Sequence, residues 1–370
     1  MDACMHPSNT VEVSIAGLQP GGRISGPKAT SDRGNSTNVR ALDLRGCQVG
    51  PDTVTRLSRG LTSNVSTCIV KLLIATLSFV VSGPYVDTCT RGIAKRFVTT
   101  ITLSGNHLQD GDMALLASAL VHNACLLELT LSYNAIGEDG SISLAKALAM
   151  NSHLRLLDLM HNRIGKDGIT PWLGDTMRVN IALRELKLSH NAIGDKKAVN
   201  LLESLAPKPL TEEAKLKARI AGRRRHTTMA DGSESHDNSE PFNSTLRSLL
   251  LSNTGISDEA SPHLAHMLAH TRSLTHLDIS CNNFTNEGNI AIARGLQRNS
   301  SLRHLNYREN KLEEPAALAL LGALTKLSFI ETALFQDCFG SHSAVGSALG
   351  KFTKCSRSLT TLDLVRCRFT

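Results

Sequence analysis

The chain has 370 residues, of which 41% are hydrophobic, 4% aromatic and 20% charged, and its formal net charge is +7. That length would ordinarily suggest two or three domains, and so few aromatics argue against a core built on large rings. No run of about 18 apolar residues occurs, so no membrane-spanning helix is predicted; the densest stretch, 68–81, is broken by Lys71, Thr76 and Ser78 and reads as a buried strand.

Residues 1–38 are rich in Gly, Ser, Thr and Pro and lack periodicity, which predicts a flexible tail or a partial cap over the first periodic unit. The start Met1-Asp-Ala-Cys-Met-His-Pro7 has neither a basic nor an apolar stretch, so no secretory signal is read. An intracellular location, cytoplasmic or cytoskeletal, is therefore expected. The nine cysteines include no Cys-x-x-Cys pair, in keeping with a reducing compartment. In such a compartment the sequons at Asn35, Asn64, Asn243, Asn283 and Asn299 would meet no glycosylating machinery.

From residue 39 to 370 one phrase dominates: apolar-x-x-apolar-x-apolar-x-x-Asn, or a substitute for the Asn. Its ninth positions are Cys47, Leu77, Asn106, Asn134, Asn162, Asn191, Thr254, Asn282, Asn310, Cys338 and Cys367. All successive steps are 28 to 30 residues except one of 63, so the chain is a stack of similar units, interrupted once. Within a phrase, Leu129 and Leu131 or Leu186 and Leu188 point to one face with the period of a strand. Farther on the period becomes helical, as in Leu144 and Leu148, Leu264 and Leu268, or Leu320 and Leu324. Turn signatures such as Ile136-Gly-Glu-Asp-Gly140 lie between, with glycine expected to supply backbone freedom for the reversal. The predicted fold is α/β, a curved solenoid of about eleven strand-turn-helix repeats with one parallel sheet on the concave face. At ~4.8 Å per strand the inner surface is on the order of 50 Å long.

Repeats of 28 to 29 residues carrying a full helix, such as Leu126-Leu-Glu-Leu-Thr-Leu-Ser-Tyr-Asn-Ala-Ile-Gly-Glu-Asp-Gly140, resemble the ribonuclease-inhibitor-like leucine-rich repeats. That resemblance implies a fold shared by ribonuclease inhibitors, sensing regions of NOD-like receptors, Ran GTPase activators and ciliary or cytoskeletal scaffolds, and it does not choose among them. It also implies that Asn106, Asn134, Asn162, Asn191, Asn282 and Asn310 form an inward ladder of amides satisfying backbone groups of adjacent loops. Leu77 has no amide to contribute, which marks the second repeat as the irregular one.

The long step contains an insertion at about 206–244. It offers a short helix from Thr211 to Ile220, then Arg223-Arg224-Arg225-His226, then the polar stretch 231–240. Lys215, Lys217, Arg219, Arg223, Arg224 and Arg225 form a basic run suited to an acidic partner, while nucleic acid is not expected. Thr227 and Thr228 lie in a basophilic-kinase-like context, so phosphate there would partly neutralise the run.

Strand positions three, five and seven are expected to face solvent on the concave side. Across neighbouring repeats this places His276, Asp278, His304, Asn306, Arg308 and Glu309 in one polar patch, a candidate protein-docking site. The concave face lacks the strong acidity and aromatic anchors suited to a basic ribonuclease. No phosphate loop, His-Glu-x-x-His or Gly-x-Ser-x-Gly motif occurs, and the 14 histidines show no zinc spacing, so neither cofactor, metal nor catalytic residue is predicted. The eleventh phrase stops after its strand with no helix or polar cap, so either a partner covers that end, the reading favoured, or the sequence has been cut short there. The functional expectation is a non-enzymatic protein-interaction scaffold, a subunit of a larger assembly of the ciliary or cytoskeletal kind. A GTPase activator similar to the Ran activator is the alternative.

Overall fold

The structure is a computed structural model that describes residues 10–14, 38–47, 49–62, 98–165, 172–207, 242–340 and 343–368. Its strands are β1 (Thr10–Ser14), β2 (Asn38–Asp43), β3 (Thr100–Thr102), β4 (Glu128–Thr130), β5 (Leu156–Asp158), β6 (Glu185–Lys187), β7 (Ser248–Leu250), β8 (His276–Asp278), β9 (His304–Asn306), β10 (Thr332–Leu334) and β11 (Thr361–Asp363). They form one eleven-stranded sheet in chain order, and every pairing is parallel. This is the predicted curved α/β solenoid of leucine-rich repeats.

Among the described residues the helices are α1 (Pro51–Thr62), α2 (Asp110–His122), α3 (Glu138–Met150), α4 (Trp172–Val179), α5 (Gly194–Ser204), α6 (Ser261–His270), α7 (Asn286–Leu296), α8 (Glu314–Leu324) and α9 (Ser343–Cys355). They pack in one layer behind the sheet, since each helix turns its i, i+4 apolar pair onto the strands. Leu144 and Leu148 of α3 and Leu320 and Leu324 of α8 are buried with strand residues Leu129, Leu305 and their equivalents in one continuous core. Full burial of each such leucine contributes roughly 2–3 kcal/mol. The last strand differs, because Leu359, Leu362 and Leu364 are only partly buried.

The sheet departs from the sequence pattern at its first strands. β2 pairs directly with β3, matching Ala41 to Thr100 and Asp43 to Thr102, so no strand from the second phrase lies between them. Leu77 and the stretch 68–81 read as a strand lie outside the described residues. The eleventh strand comes instead from Thr10–Ser14, which adds to the outer edge of β2.

The ladder positions are occupied as a continuous system of hydrogen bonds. Asn106 donates from Nδ2 to the carbonyls of Leu44 (2.8 Å) and Leu103 (3.0 Å), and its Oδ1 accepts from the Val49 amide. Asn134, Asn162, Asn191, Asn282 and Asn310 repeat the scheme one unit further on. Thr254 donates to Leu251 O at 2.8 Å, and the thiols of Cys338 and Cys367 reach Tyr307 O and Phe335 O.

A second asparagine ladder, not read from the sequence, runs just before each phrase, with Asn123 and Asn151 standing at helix C-caps. Asn123, Asn151, Asn180, Asn243 and Asn299 donate from Nδ2 to a carbonyl near the C-terminus of the preceding helix. Their Oδ1 atoms accept the amide of the leucine that opens the next phrase: Leu126, Leu154, Leu183, Leu246 and Leu302. Orphan groups at helix ends are thus satisfied between repeats. Asn243 and Asn299 belong to two of the sequons and are only 3% and 8% exposed, so a glycan on either would break the ladder.

Turn glycines divide into two kinds: Gly165, Gly194 and Gly255 adopt the positive φ expected of a reversal, and those of the 136–140 turn do not. Gly137 has φ −100°, and neither it nor Gly140 is among the positive-φ glycines; they are selected by crowding instead. A Cβ on Gly140 would come within 2.5 Å of Asp110 Oδ1 and 3.0 Å of its Cα, because Asp110 caps the Gly137 amide across the repeat boundary. Where α4 is short, Lys197 of α5 spans the gap to Glu138 of α3, making a 2.8 Å ion pair with only 4% of its side chain exposed.

Candidate functional site

The exposed sheet surface is built from strands of three residues, so few side chains per repeat are presented and their register is fixed by the ladder. His276, His304 and Thr332 lie side by side on β8, β9 and β10. The two imidazoles stack with centroids 4.0 Å apart. Nδ1 of His276 meets Thr275 Oγ1 at 2.8 Å, and Nδ1 of His304 meets Thr332 Oγ1 at 3.1 Å. Burial, then the neighbouring His304, lowers the His276 pKa, with Glu185 and Glu331 opposing. The pair extends along the strand starts through Arg303, which bonds Glu331 at 2.8 Å and lies over the exposed Phe329 ring.

The other predicted residues are adjacent but committed to internal bonds. Asp278 accepts the Ser280 amide (3.0 Å) and hydroxyl (2.6 Å) on Oδ1 and the Asn306 side-chain amide (2.9 Å) on Oδ2. Arg308 passes β10 to pair with Asp363 of β11, leaving 37% of its side chain exposed. The Val365 amide and Arg308 hold the Asp363 carboxyl below the ordinary carboxylate value. Glu309 is exposed in a left-handed conformation, φ 56°, beside Cys281, whose thiol is raised first by burial and then by Glu309. Arg303, Phe329 and Glu331 were missed because they sit before the third position, where the phrase imposes no pattern; Thr332 holds the third position beside His304.

Position five has a local reason for its acids. Asp43, Asp158, Asp278 and Asp363 each accept the backbone amide two residues on, closing the strand's exit. Asp158 is nearly buried, and burial raises its pKa against the opposing Met160 amide and Lys187. The serines at position seven do not face solvent, since Ser104, Ser132, Ser189, Ser252 and Ser280 are buried, whereas Arg45 and Val365 at the same position are exposed as expected. Ser104 bonds Ser132, and Ser280 bonds Ser252, each at 2.8 Å. The chain has left the three-residue strand by this point, so alternation no longer applies and the hydroxyls turn between repeats.

Position eight supplies the outward row instead. Tyr133, His161, His190, Asn253, Cys281, Glu309, Asp337 and Arg366 all adopt φ between 50° and 58°, a region that costs a non-glycine residue of order 1 kcal/mol or more. The first three rings stack: Tyr133 to His161 at 4.1 Å and 12°, His161 to His190 at 3.9 Å and 10°. Nothing in the phrase flags this row, since its identity varies while its conformation does not.

The basic run from Lys215 to Arg225, with Thr227 and Thr228, lies outside the described residues. Among the described residues no group of three or more His, Cys, Asp or Glu is placed to hold a metal ion, and no helix is long and apolar enough to cross a membrane.

A comparison with curated proteins found no match. The family model described as Leucine Rich repeat matches five segments, residues 35–57, 122–145, 151–171, 179–198 and 270–293. With one strand per unit in a single parallel sheet, these matches support placing the chain among leucine-rich-repeat proteins, a family that typically serves protein–protein interaction.

Proposed function

We propose that this protein is a non-enzymatic scaffold, a subunit of a larger intracellular assembly of the ciliary or cytoskeletal kind, that docks partners on its sheet face. The reading rests on one observation above all: the His276–His304 stack with Arg303, Phe329, Glu331 and Thr332 is a mixed apolar and charged surface at the starts of β8, β9 and β10. Such a combination of ring, guanidinium and polar rim suits a protein interface. The basic run Lys215, Lys217, Arg219, Arg223, Arg224 and Arg225 offers a separate contact for an acidic partner. Affinity purification from the native cell with wild type and a Phe329→Ala/His304→Ala double variant tests the reading. A stoichiometric protein recovered by wild type and depleted with the variant supports it; equal recovery removes this surface, and no stoichiometric partner removes the scaffold. Acceleration of single-turnover GTP hydrolysis by a small GTPase would replace it with the ribonuclease-inhibitor-like GTPase-activator reading.

A further inference from the structure

We propose that the rim where β5, β6 and β7 begin is a docking surface for an acidic amphipathic helix of a protein partner, a claim that rests on the scaffold reading above and gives it a second contact. Arg155, Arg184 and Arg247 hold the position just before the strand in three successive repeats. Their main chains touch: the Arg184 amide donates to Arg155 O at 2.7 Å and the Arg247 amide to Arg184 O at 2.8 Å. The three side chains therefore leave a fixed row, spaced about 4.8 Å apart at the backbone. Arg155 and Arg247 are exposed, and Arg184 is turned toward the repeat of Arg247 by its bond to Thr245 O at 3.0 Å. Among the described residues no carboxylate pairs with any of the three.

Charge at this rim is one-sided. The segments that cross from helix to strand, 150–157, 178–187, 242–250 and 270–276, carry Arg155, Arg178, Arg184, Lys187, Arg247 and Arg272 against Glu185 alone. Glu185 is engaged by Lys187 at 3.1 Å, and Arg178 by Asp175 at 3.3 Å. Of the acids on the adjoining sheet, Glu128 accepts from Thr100 Oγ1 at 3.2 Å, and Asp158 is nearly buried on the Met160 amide. Beside the basic row lies an apolar one. Met150 ends α3, Val179 ends α4 and Ile181 lies in the crossing from α4 to β6; they are 70%, 56% and 70% exposed. Packed helices lie about 8–10 Å apart, close to the ~10.5 Å between residues i and i+7 of a helix, whereas i and i+4 recur every ~5–6 Å, close to the strand spacing. A helix laid along the rim thus meets the arginines with a line of acids and the row of Met150, Val179 and Ile181 with a line of aliphatic residues. Nucleic acid would pair the arginines with phosphate but leave those three side chains uncovered.

The test is a fluorescence-anisotropy titration of the full chain with a labelled amphipathic peptide carrying glutamates on one face and leucines on the adjoining one. Versions with glutamine for glutamate or serine for leucine, and a single-stranded DNA oligonucleotide, are titrated beside it. Arg155→Gln/Arg247→Gln and Val179→Ser/Ile181→Ser, all at exposed positions, are compared with wild type and with Arg224→Gln/Arg225→Gln as a charge-matched control in the insertion. Circular-dichroism melts confirm that each is folded. The acidic peptide is expected to bind, and to weaken about fivefold with Arg155→Gln/Arg247→Gln and about tenfold with Val179→Ser/Ile181→Ser. Glutamine or serine in the peptide should weaken it likewise, and the insertion control should leave binding unchanged. No binding at millimolar concentration, equal binding of the glutamine peptide, or indifference to either rim variant overturns the proposal. An equal loss in the insertion control overturns it as well, since bulk charge then explains both. An oligonucleotide that binds more tightly than the peptide and is lost with Arg155→Gln/Arg247→Gln makes the rim a nucleic-acid surface instead. Self-association of wild type that the same variant abolishes in sedimentation overturns the proposal by placing a second copy there. Tighter peptide binding by Asp237→Asn/Glu240→Gln that Arg155→Gln/Arg247→Gln abolishes overturns it by placing the chain's own acidic stretch there. Native partners recovered equally by wild type and Arg155→Gln/Arg247→Gln remove this site and leave the scaffold; a wild type that recovers none removes the scaffold itself.

Discussion

Replacing Asn282 with alanine tests the ladder at a point where its bonds can be followed individually. The side chain donates to the carbonyls of Leu251, Ile279 and Ser280 and accepts the amides of Thr254 and Ile256 at 3.3 and 3.1 Å. Each carbonyl keeps another donor in the variant: Thr254 Oγ1 for Leu251, Asn310 Nδ2 for Ile279 and the Asn253 amide for Ser280. The loss therefore falls on the two buried amides. An unsatisfied buried donor costs about 1–3 kcal/mol, so Asn282→Ala should destabilise the protein by roughly 3 kcal/mol. Asn283, the next residue, is exposed, and Asn283→Ala serves as the matched control. Urea unfolding followed by circular dichroism measures both. If the two variants fall within about 0.5 kcal/mol of each other, the ladder does not carry the weight assigned to it.

Three further outcomes are expected. Lys197→Ala, which removes the buried ammonium facing Glu138, should cost about 3–5 kcal/mol in urea unfolding, whereas Lys197→Met with Glu138→Leu should be close to neutral, because both charges of the pair are removed together. Burial pushes the Cys338 thiol up to about 12, so in timed iodoacetamide labelling read by mass spectrometry exposed Cys355 should react well before it. The same shift sets a pH dependence: the unfolded thiol ionises near its ordinary value of 9.0 while the folded one stays protonated. That contribution is complete below pH 9 and is lost between 9 and about 12, so wild type should lose roughly 1 kcal/mol per pH unit more than Cys338→Ser in that window.

What could be read from the sequence was whatever repeats in identity, and what could not was whatever repeats only in conformation. Leu129, Leu131, Leu144 and Leu148 mark strand and helix because the core accepts few side chains at those places, and each is buried. The second asparagine ladder was equally available in principle: Asn-x-x-Leu recurs at Asn123, Asn151, Asn180, Asn243 and Asn299. It was hidden because these residues precede the phrase and two of them read as sequons. The exposed face was harder, because alternation predicts direction only while the backbone stays extended, and each interior strand is three residues long. By position seven the serines have turned inward, and position eight, whatever residue it holds, is left-handed and outward. Tyr133, His161 and His190 come together for that reason and not through any motif: a constant turn geometry brings variable residues into one row. Partner choice in such a solenoid can change at position eight without disturbing either ladder, since neither ladder draws a side-chain bond from it.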